Sequence, residues 1–557
     1  MNAVRLVTIR LGTLVTMLRL KIPLLMGIFF LFSLVVGRVD RDVAHPDVEF
    51  LVNRTSVRYL NYNFHITVQP SRLTINLQAN LVVTARSTRM IYFVLSNAYR
   101  AQINDLKINT YPADVSQEGG LFQIELPFWY KKGDRLALEL TYTIENKSRS
   151  RRVIAELGAN WYPKNILPEL VTASFRLDVP TAYTAIANGQ LVEVRKLSQR
   201  LKRFTWVQLR PTTAFGISVG NYQMLARTIK GRHFRLFFLP GLHRTIQEKV
   251  IENAAWLSDL YYTKYGGRNL ADLTIVFSDT VWEDTSFGTL IFLRYQTNYS
   301  KAARKNLLFN LAHELSHYWW GNQVIPKRLT DWWLVEGFAN YSVLLAVEFS
   351  EFGADSQKEN ELLRKWLNQY CQTLLNLRHF KVAELSLAEI GPFDLQRELL
   401  YTKGAFVLHM ARTQLGKERF DWYVEEFVKQ NWHKPVGIDD FARLGAELFG
   451  VELVDFLRQW VYSTGTYNLA LRDWELIKIR DRYRITLTIA NTGQLYLPNL
   501  VDLAIITRKK VYRETLRLTA LNVKMQKVLP DRPLRVIINA RPMILETDLT
   551  DNELEIR

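Results

Sequence analysis

The sequence predicts a multidomain α+β protein, and three observations carry that reading. Apolar residues recur every second position from about Asp47 to Tyr222. They recur every third or fourth position from about Thr245 to Thr464, and every second position again from about Trp474 to the end. The chain has 557 residues, more than one ordinary core holds. Its composition, 48% hydrophobic and 23% charged, is that of a globular protein and excludes a wholly disordered or fibrous chain.

The first 45 residues read as an address rather than a domain. Arg5, Arg10, Arg19 and Lys21 precede the uncharged apolar run Ile22 to Gly37, and Arg38 closes it. A positive flank followed by an apolar segment is the pattern of an export signal or membrane anchor. The run is shorter than the roughly 20 residues of a comfortable span, but Lys21 and Arg38 can snorkel. Val35-Val36-Gly37 is an imperfect cleavage site, so the anchor is preferred over a cleaved signal. The expectation is a chain exported and membrane-anchored, with its catalytic part outside the cytoplasm, or else secreted or periplasmic.

Residues 46–225 follow as a β domain. Ile75, Leu77, Ala79, Leu81 and Val83 alternate with Asn76, Gln78, Asn80 and Val82. Leu136, Leu138, Leu140, Tyr142 and Ile144 do the same, as half-buried strands of an antiparallel sheet would. Glu118-Gly119-Gly120 and Asn188-Gly189 punctuate the runs. Residues 226–465 form an α-rich domain. Its helical segments are Glu248–Tyr265, Ala302–Asn322, Asp331–Glu348, Glu359–Leu377, Arg397–Leu415 and Asp439–Ser463, with a strand at Leu273–Phe277. Residues 466–557 return to strands, at Ile485–Ile489 and Leu534–Ile538, and suit a small β-sandwich.

The net charge of +18 draws the chain toward anionic surfaces such as lipid headgroups, cell-wall polymers, nucleic acid or acidic peptides. The basic run Lys147 to Arg152 reads as an exposed loop. No nucleic-acid-binding motif accompanies it, so no nucleic-acid partner is expected. One cysteine, Cys371, excludes an internal disulfide.

The chemistry centres on His313-Glu314-Leu315-Ser316-His317. Residues four apart share a helix face, so both imidazoles can hold one metal, with Glu314 beside them as general base. Glu336, in the next helical segment, completes a His-His-Glu set with an open position, the pattern of a catalytic rather than a structural zinc site. Tyr318, Trp319, Trp320, Trp332 and Trp333 read as core packing.

The stretches His313-Glu314-x-x-His317-x-Trp319-x-Gly321-Asn322 and Trp333-Leu334-x-Glu336-Gly337-Phe338-Ala339-x-Tyr341 resemble the aminopeptidase N family of gluzincin metallopeptidases, which includes leukotriene hydrolase. Tyr401-x-Lys403-Gly404 resembles that family's catalytic tyrosine motif. Trp161-Tyr162-Pro163, Asn188-Gly189, Val219-Gly220-Asn221-Tyr222 and Ile544-Leu545-Glu546-Thr547-Asp548 resemble landmarks outside the catalytic domain. The resemblance implies an N-terminal antiparallel β saddle, a thermolysin-like catalytic domain and a C-terminal β-sandwich. It implies one Zn2+ per chain on His313, His317 and Glu336, a peptide substrate, Glu314 as base and Tyr401 as oxyanion donor. Where the family carries a glutamate for the substrate's α-amine, alignment of Leu290-Ile291-Phe292 on its apolar strand places Ser286. Ser286 and Gly288 are the substrate-binding candidates, and Glu283 or Asp284 could replace the lost charge. Two rival readings follow: a related zinc hydrolase acting on internal bonds or non-peptides, and a non-catalytic scaffold. The oligomeric state is left open.

Overall fold

The computed structural model describes residues 55–556, with short interruptions at 97–98, 119, 147, 149, 151, 159, 281–282, 297–298, 351–355, 393 and 496–498. The predicted anchor segment lies outside the described residues.

The alternating segments form the N-terminal β domain. Its main sheet runs in the order Gln190–Lys196, Leu201–Thr212, Val171–Pro180, Val57–Val68, Arg72–Val83, Arg135–Glu145, Gln102–Ile108, Tyr111–Pro112. Leu73, Ile75, Leu77, Ala79, Leu81 and Val83 point inward, as do Leu136, Leu138, Leu140, Tyr142 and Ile144. One junction departs from the antiparallel expectation. Val57–Val68 lies parallel to Val171–Pro180, with Asn61 opposite Thr172. Alternation reports which face is buried and is blind to the direction of the neighbour. The long excursion between the two strands supplies the crossover that a parallel pair needs.

The middle of the chain opens with a five-stranded sheet in the order Gln223–Ile229, Arg232–Phe238, Asp272–Ser278, Leu290–Arg294, Thr285–Phe287. The helices follow as α1 (Arg244–Tyr265), α2 (Lys301–Ser316), α3 (Trp332–Phe349), α4 (Ser356–His379), α5 (Glu398–Leu415), α6 (Lys417–Gln430), α7 (Ile438–Phe449) and α8 (Val451–Tyr462). Three differ from expectation. Helix α2 stops at Ser316 rather than Asn322, because the chain turns to bury aromatic rings. Trp319 and Trp320 are almost wholly buried, and Trp319 Nε1 donates to the Gly266 carbonyl at 3.0 Å. The predicted helix Asp439–Ser463 is two, α7 and α8, divided at Gly450 with φ +89°. Helix α6 was not expected, although Phe420, Tyr423, Val424, Phe427 and Val428 are its buried stripe.

The C-terminal strands make two sheets, Leu469–Ile479, Arg482–Asn491, Asn522–Leu529 and Val511–Leu518, Asn499–Thr507, Pro533–Ile538, Glu553–Glu555. Their inward residues join the helices in one apolar cluster that runs from Phe234 to Ile556. A second cluster fills the N-terminal β domain and takes in Phe237, Leu239, Val276, Phe287, Leu290 and Phe292 from the middle sheet. The edge hairpin that carries Ser286 is thereby clamped between two cores.

Candidate active site

Helix α2 brings the first two candidates together. Ser300 caps it by accepting from the Ala303 amide at 3.2 Å, and at its other end His313 of the last turn and His317, the C-cap, face the same side. Helix α3 supplies Glu336. Tyr261 of α1 fixes the two helices against each other, its hydroxyl lying 3.0 Å from both the Ala312 and the Ser342 carbonyls. Glu336 Oε2 lies 3.4 Å from His313 Nε2 and 3.7 Å from His317 Nε2.

The donor set fits zinc. Ligand bonds of about 2.0–2.2 Å in a tetrahedron put neighbouring ligand atoms roughly 3.3–3.6 Å apart. Glu336 Oε2 is buried without a hydrogen-bond partner, so its lone pairs are uncommitted. Both imidazoles are held in the tautomer that binds metal through Nε2. His317 Nδ1 faces the Trp320 carbonyl at 3.1 Å, an atom that only accepts, so Nδ1 carries the proton. Asn340 Nδ2 donates to the Tyr401 carbonyl at 3.0 Å, which orients the amide; Asn340 Oδ1 therefore accepts from His313 Nδ1 at 2.9 Å. Glu336 Oε1 accepts from Trp332 Nε1 at 3.2 Å. Burial disfavours charge on Glu336, but His317 and His313 outweigh it and hold the carboxyl below its usual range. It is an anionic candidate ligand.

Glu314 sits among the ligands. Burial pushes its carboxyl up to about 8, with His313 opposing and Glu336, Asp284 and Glu283 adding to the rise. On α5, Tyr401 stacks on His313 with ring centres 5.8 Å apart. Burial, followed by Glu336, raises its phenol well above the ordinary value of 10, so the hydroxyl keeps its proton and can donate.

Ser286 lies on the edge strand Thr285–Phe287, opposite Ile291, and its Oγ is buried with no partner. Gly288 is buried in the hairpin turn, where an added Cβ would meet Thr212 Oγ1 at 2.5 Å. Both nearby acids have partners. Asp284 accepts from the Arg294 amide at 2.6 Å and from the Asn310 side chain, and exposed Glu283 is paired with Arg397 at 3.4 Å.

Sequence reasoning missed Asn340, the Trp320 carbonyl and the role of Trp332. Trp319, Trp320 and Trp333 are core, as expected, whereas Trp332 is only partly buried and donates to Glu336. An amide four residues after Glu336 was the available signal for Asn340, since residues i and i+4 share a helix face.

His313 and His317 from one helix and Glu336 from the next form a group that could hold a metal ion, in the pattern of a gluzincin. Comparison with known proteins agrees. Residues 255–460 match the Peptidase family M1 domain. The chain is 22% identical to Aminopeptidase M1-B of Oryza sativa subsp. japonica over 71% of its own length and 46% of that protein. It is 28% identical to Glutamyl aminopeptidase of Sus scrofa over 54% of its own length and 32% of that protein. The chain thus spans less than half of these relatives. Among solved structures, the M1 zinc metallopeptidase from Deinococcus radiodurans superposes with a TM-score of 0.58 at 20% identity, covering 73% of this chain and 94% of that one. Legionella pneumophila aminopeptidase A superposes with a TM-score of 0.67 at 17% identity, covering 87% and 58%. These matches support an aminopeptidase N-like gluzincin relationship for the catalytic region, and the multidomain α+β architecture is similar to that of the M1 structures.

Proposed function

We propose that the chain is a zinc-dependent peptidase of the aminopeptidase type that works outside the cytoplasm. The observation that carries the peptidase reading is the unpartnered Glu336 Oε2, which faces the Nε2 atoms of two imidazoles whose Nδ1 atoms are already hydrogen-bonded. Zinc, one ion per chain on His313, His317 and Glu336, would supply a Lewis acid that polarises a carbonyl and makes water acidic. Glu314 takes the proton from the attacking water and passes it to the leaving amine. Tyr401 donates its hydroxyl hydrogen to the oxygen that gains charge in the tetrahedral transition state.

The names of the relatives support a free N-terminus as the preferred substrate end. So does the charge around the site. Glu336, Asp284 and Glu283 act electrostatically on Glu314, and Glu283 and Glu336 on Glu398, with Arg397 and Arg294 as nearby cations; the excess of carboxyl groups there favours an ammonium group. Ser286 adds no charge of its own. A buried carboxylate would add a charge-assisted hydrogen bond worth roughly 1.5–3 kcal/mol. We therefore expect a weaker preference for free over N-acetylated peptides than a glutamate at that position would give. The test is kcat/KM for one fluorogenic peptide in both forms, with and without zinc. Zinc-dependent cleavage of the free form, with a preference that rises in Ser286→Glu, supports the reading. Cleavage insensitive to zinc removal would refute it.

Export rests on the basic residues before Ile22–Gly37, since short basic flanks stay inside. No helix of the described residues is long and apolar enough to cross a membrane. A reporter fused after residue 45 should be active only outside the cytoplasm; activity inside alone would refute export.

A further inference from the structure

The N-terminal β domain carries an aromatic and basic rim that the catalytic reading does not use. Phe128 and Trp129 are 52% and 68% exposed, and Tyr111 is 51% exposed. Tyr111 meets Phe128 edge-on, with ring centres 5.1 Å apart. The two residues of strand Leu121–Lys131 project from a bulge. Thr88 pairs with Tyr130 and Met90 with Glu125, so residues 126–129 stand opposite Arg89 alone. Bulges of this kind re-aim side chains out of the ladder. Lys131 and Lys132 follow directly and are exposed, with Arg86 and Arg135 beside them. The acid in this turn, Asp134, is spent in part on the backbone, accepting from the Lys131 amide at 2.7 Å.

The same end of the domain is where the described chain begins. Thr84 N donates to the Ser56 carbonyl at 2.8 Å, Gly133 N to Val83 at 2.9 Å, and Lys132 N to Arg86 at 3.3 Å. The entry point at Thr55 is therefore one hydrogen-bonded layer from the lysine turn. Residues 38–54 join it to the apolar run at 22–37 and reach at most roughly 60 Å when extended. A chain tethered through residues 22–37 would hold this rim close to the bilayer at high local concentration.

We propose that Tyr111, Phe128 and Trp129, with Lys131 and Lys132, dock on the headgroup layer of an anionic membrane. The proposal rests on reading residues 1–45 as an anchor. Indole and phenol rings favour the headgroup region, where an apolar body and a polar edge are both satisfied. The lysines are attracted by anionic lipid, and the overall charge of +18 adds to that attraction. Docking would fix the orientation of the active site relative to the membrane.

The test uses the full chain with Cys371→Ser and a fluorophore on Trp129→Cys. The protein is reconstituted in phosphatidylcholine–phosphatidylglycerol vesicles that carry headgroup nitroxide lipids. A label on Trp474→Cys, in the C-terminal sandwich, is the reference. The expected result is several-fold stronger quenching at 129 than at 474. Lys131→Glu with Lys132→Glu should weaken it, because each lysine contributes about fivefold to surface attraction. Vesicle flotation of the chain with equal quenching at both positions would overturn the docking face and leave the anchor standing. A chain that does not float with vesicles overturns both. Emission at 129 that shifts with protein concentration in detergent, without lipid quenching, assigns the face to a second copy of the chain and also overturns the proposal.

Discussion

His313, Asn340 and Tyr401 form a relay of fixed hydrogen bonds. The Tyr401 carbonyl orients the Asn340 amide, and the amide fixes the His313 tautomer. Asn340→Ala should lower zinc affinity by roughly 10- to 100-fold, read by competition with a chelator. An unchanged affinity would show that the imidazole needs no such support. Tyr401→Phe removes a donor used only as charge develops. Its kcat should fall by roughly a hundredfold or more with KM nearly constant, in steady-state kinetics. At this scale the cluster of His313, His317 and Glu336, with Glu314 beside it, was legible, because residue identity and spacing along two helices are local facts. Asn340 and the Trp320 carbonyl were not, because their value lies in what they touch across the fold.

At the scale of elements, the position of Tyr401 depends on how closely α5 crosses α3. A Cβ on Gly404 would come within 3.1 Å of the Gly337 Cα, and one on Gly337 within 3.0 Å of the Gly404 carbonyl carbon. The pair lets the two backbones touch and sets the tyrosine over the ligands. Gly404→Ala should force the helices apart. It should cost about 1–3 kcal/mol of stability in denaturant unfolding, with kcat reduced beyond what lost folded protein explains. An enzyme with normal kcat would detach this crossing from catalysis. Helix existence was legible from apolar spacing, and helix ends were less so. Helix α2 stops where Trp319 and Trp320 gain more from burial than from another turn. The break between α7 and α8 could have been read at Gly450, which the apolar periodicity on either side concealed.

Across the whole molecule, the C-terminal sandwich and the helices share one core, and His409 of α5 sits at their junction. Its Nε2 bonds the Pro542 carbonyl at 3.1 Å. Burial, only partly offset by that carbonyl, lowers its pKa from 6.5 to about 4. The unfolded chain therefore binds this proton below about pH 6.5 while the folded chain does not until about pH 4. In that window the unfolded state holds more protons, so stability falls as the pH drops. The loss should approach about 3 kcal/mol near pH 4. Denaturant melts from pH 7 to pH 4 should show it, with a shallower slope in His409→Gln. The three-part order of strands, helices and strands was plain in the periodicity. The parallel junction at Val57–Val68 and the core shared by the last two parts were not, since alternation marks a buried face without naming what covers it.

The central claim is that a metal on His313, His317 and Glu336 works with Glu314 as the base, and one variant tests it most directly. Glu314→Gln removes a base and no ligand. The account predicts zinc near one per chain, as in the natural protein. It also predicts peptide hydrolysis lower by about a hundredfold or more at saturating zinc. A Glu314→Gln protein that holds its zinc and cleaves the peptide at the natural rate would contradict it.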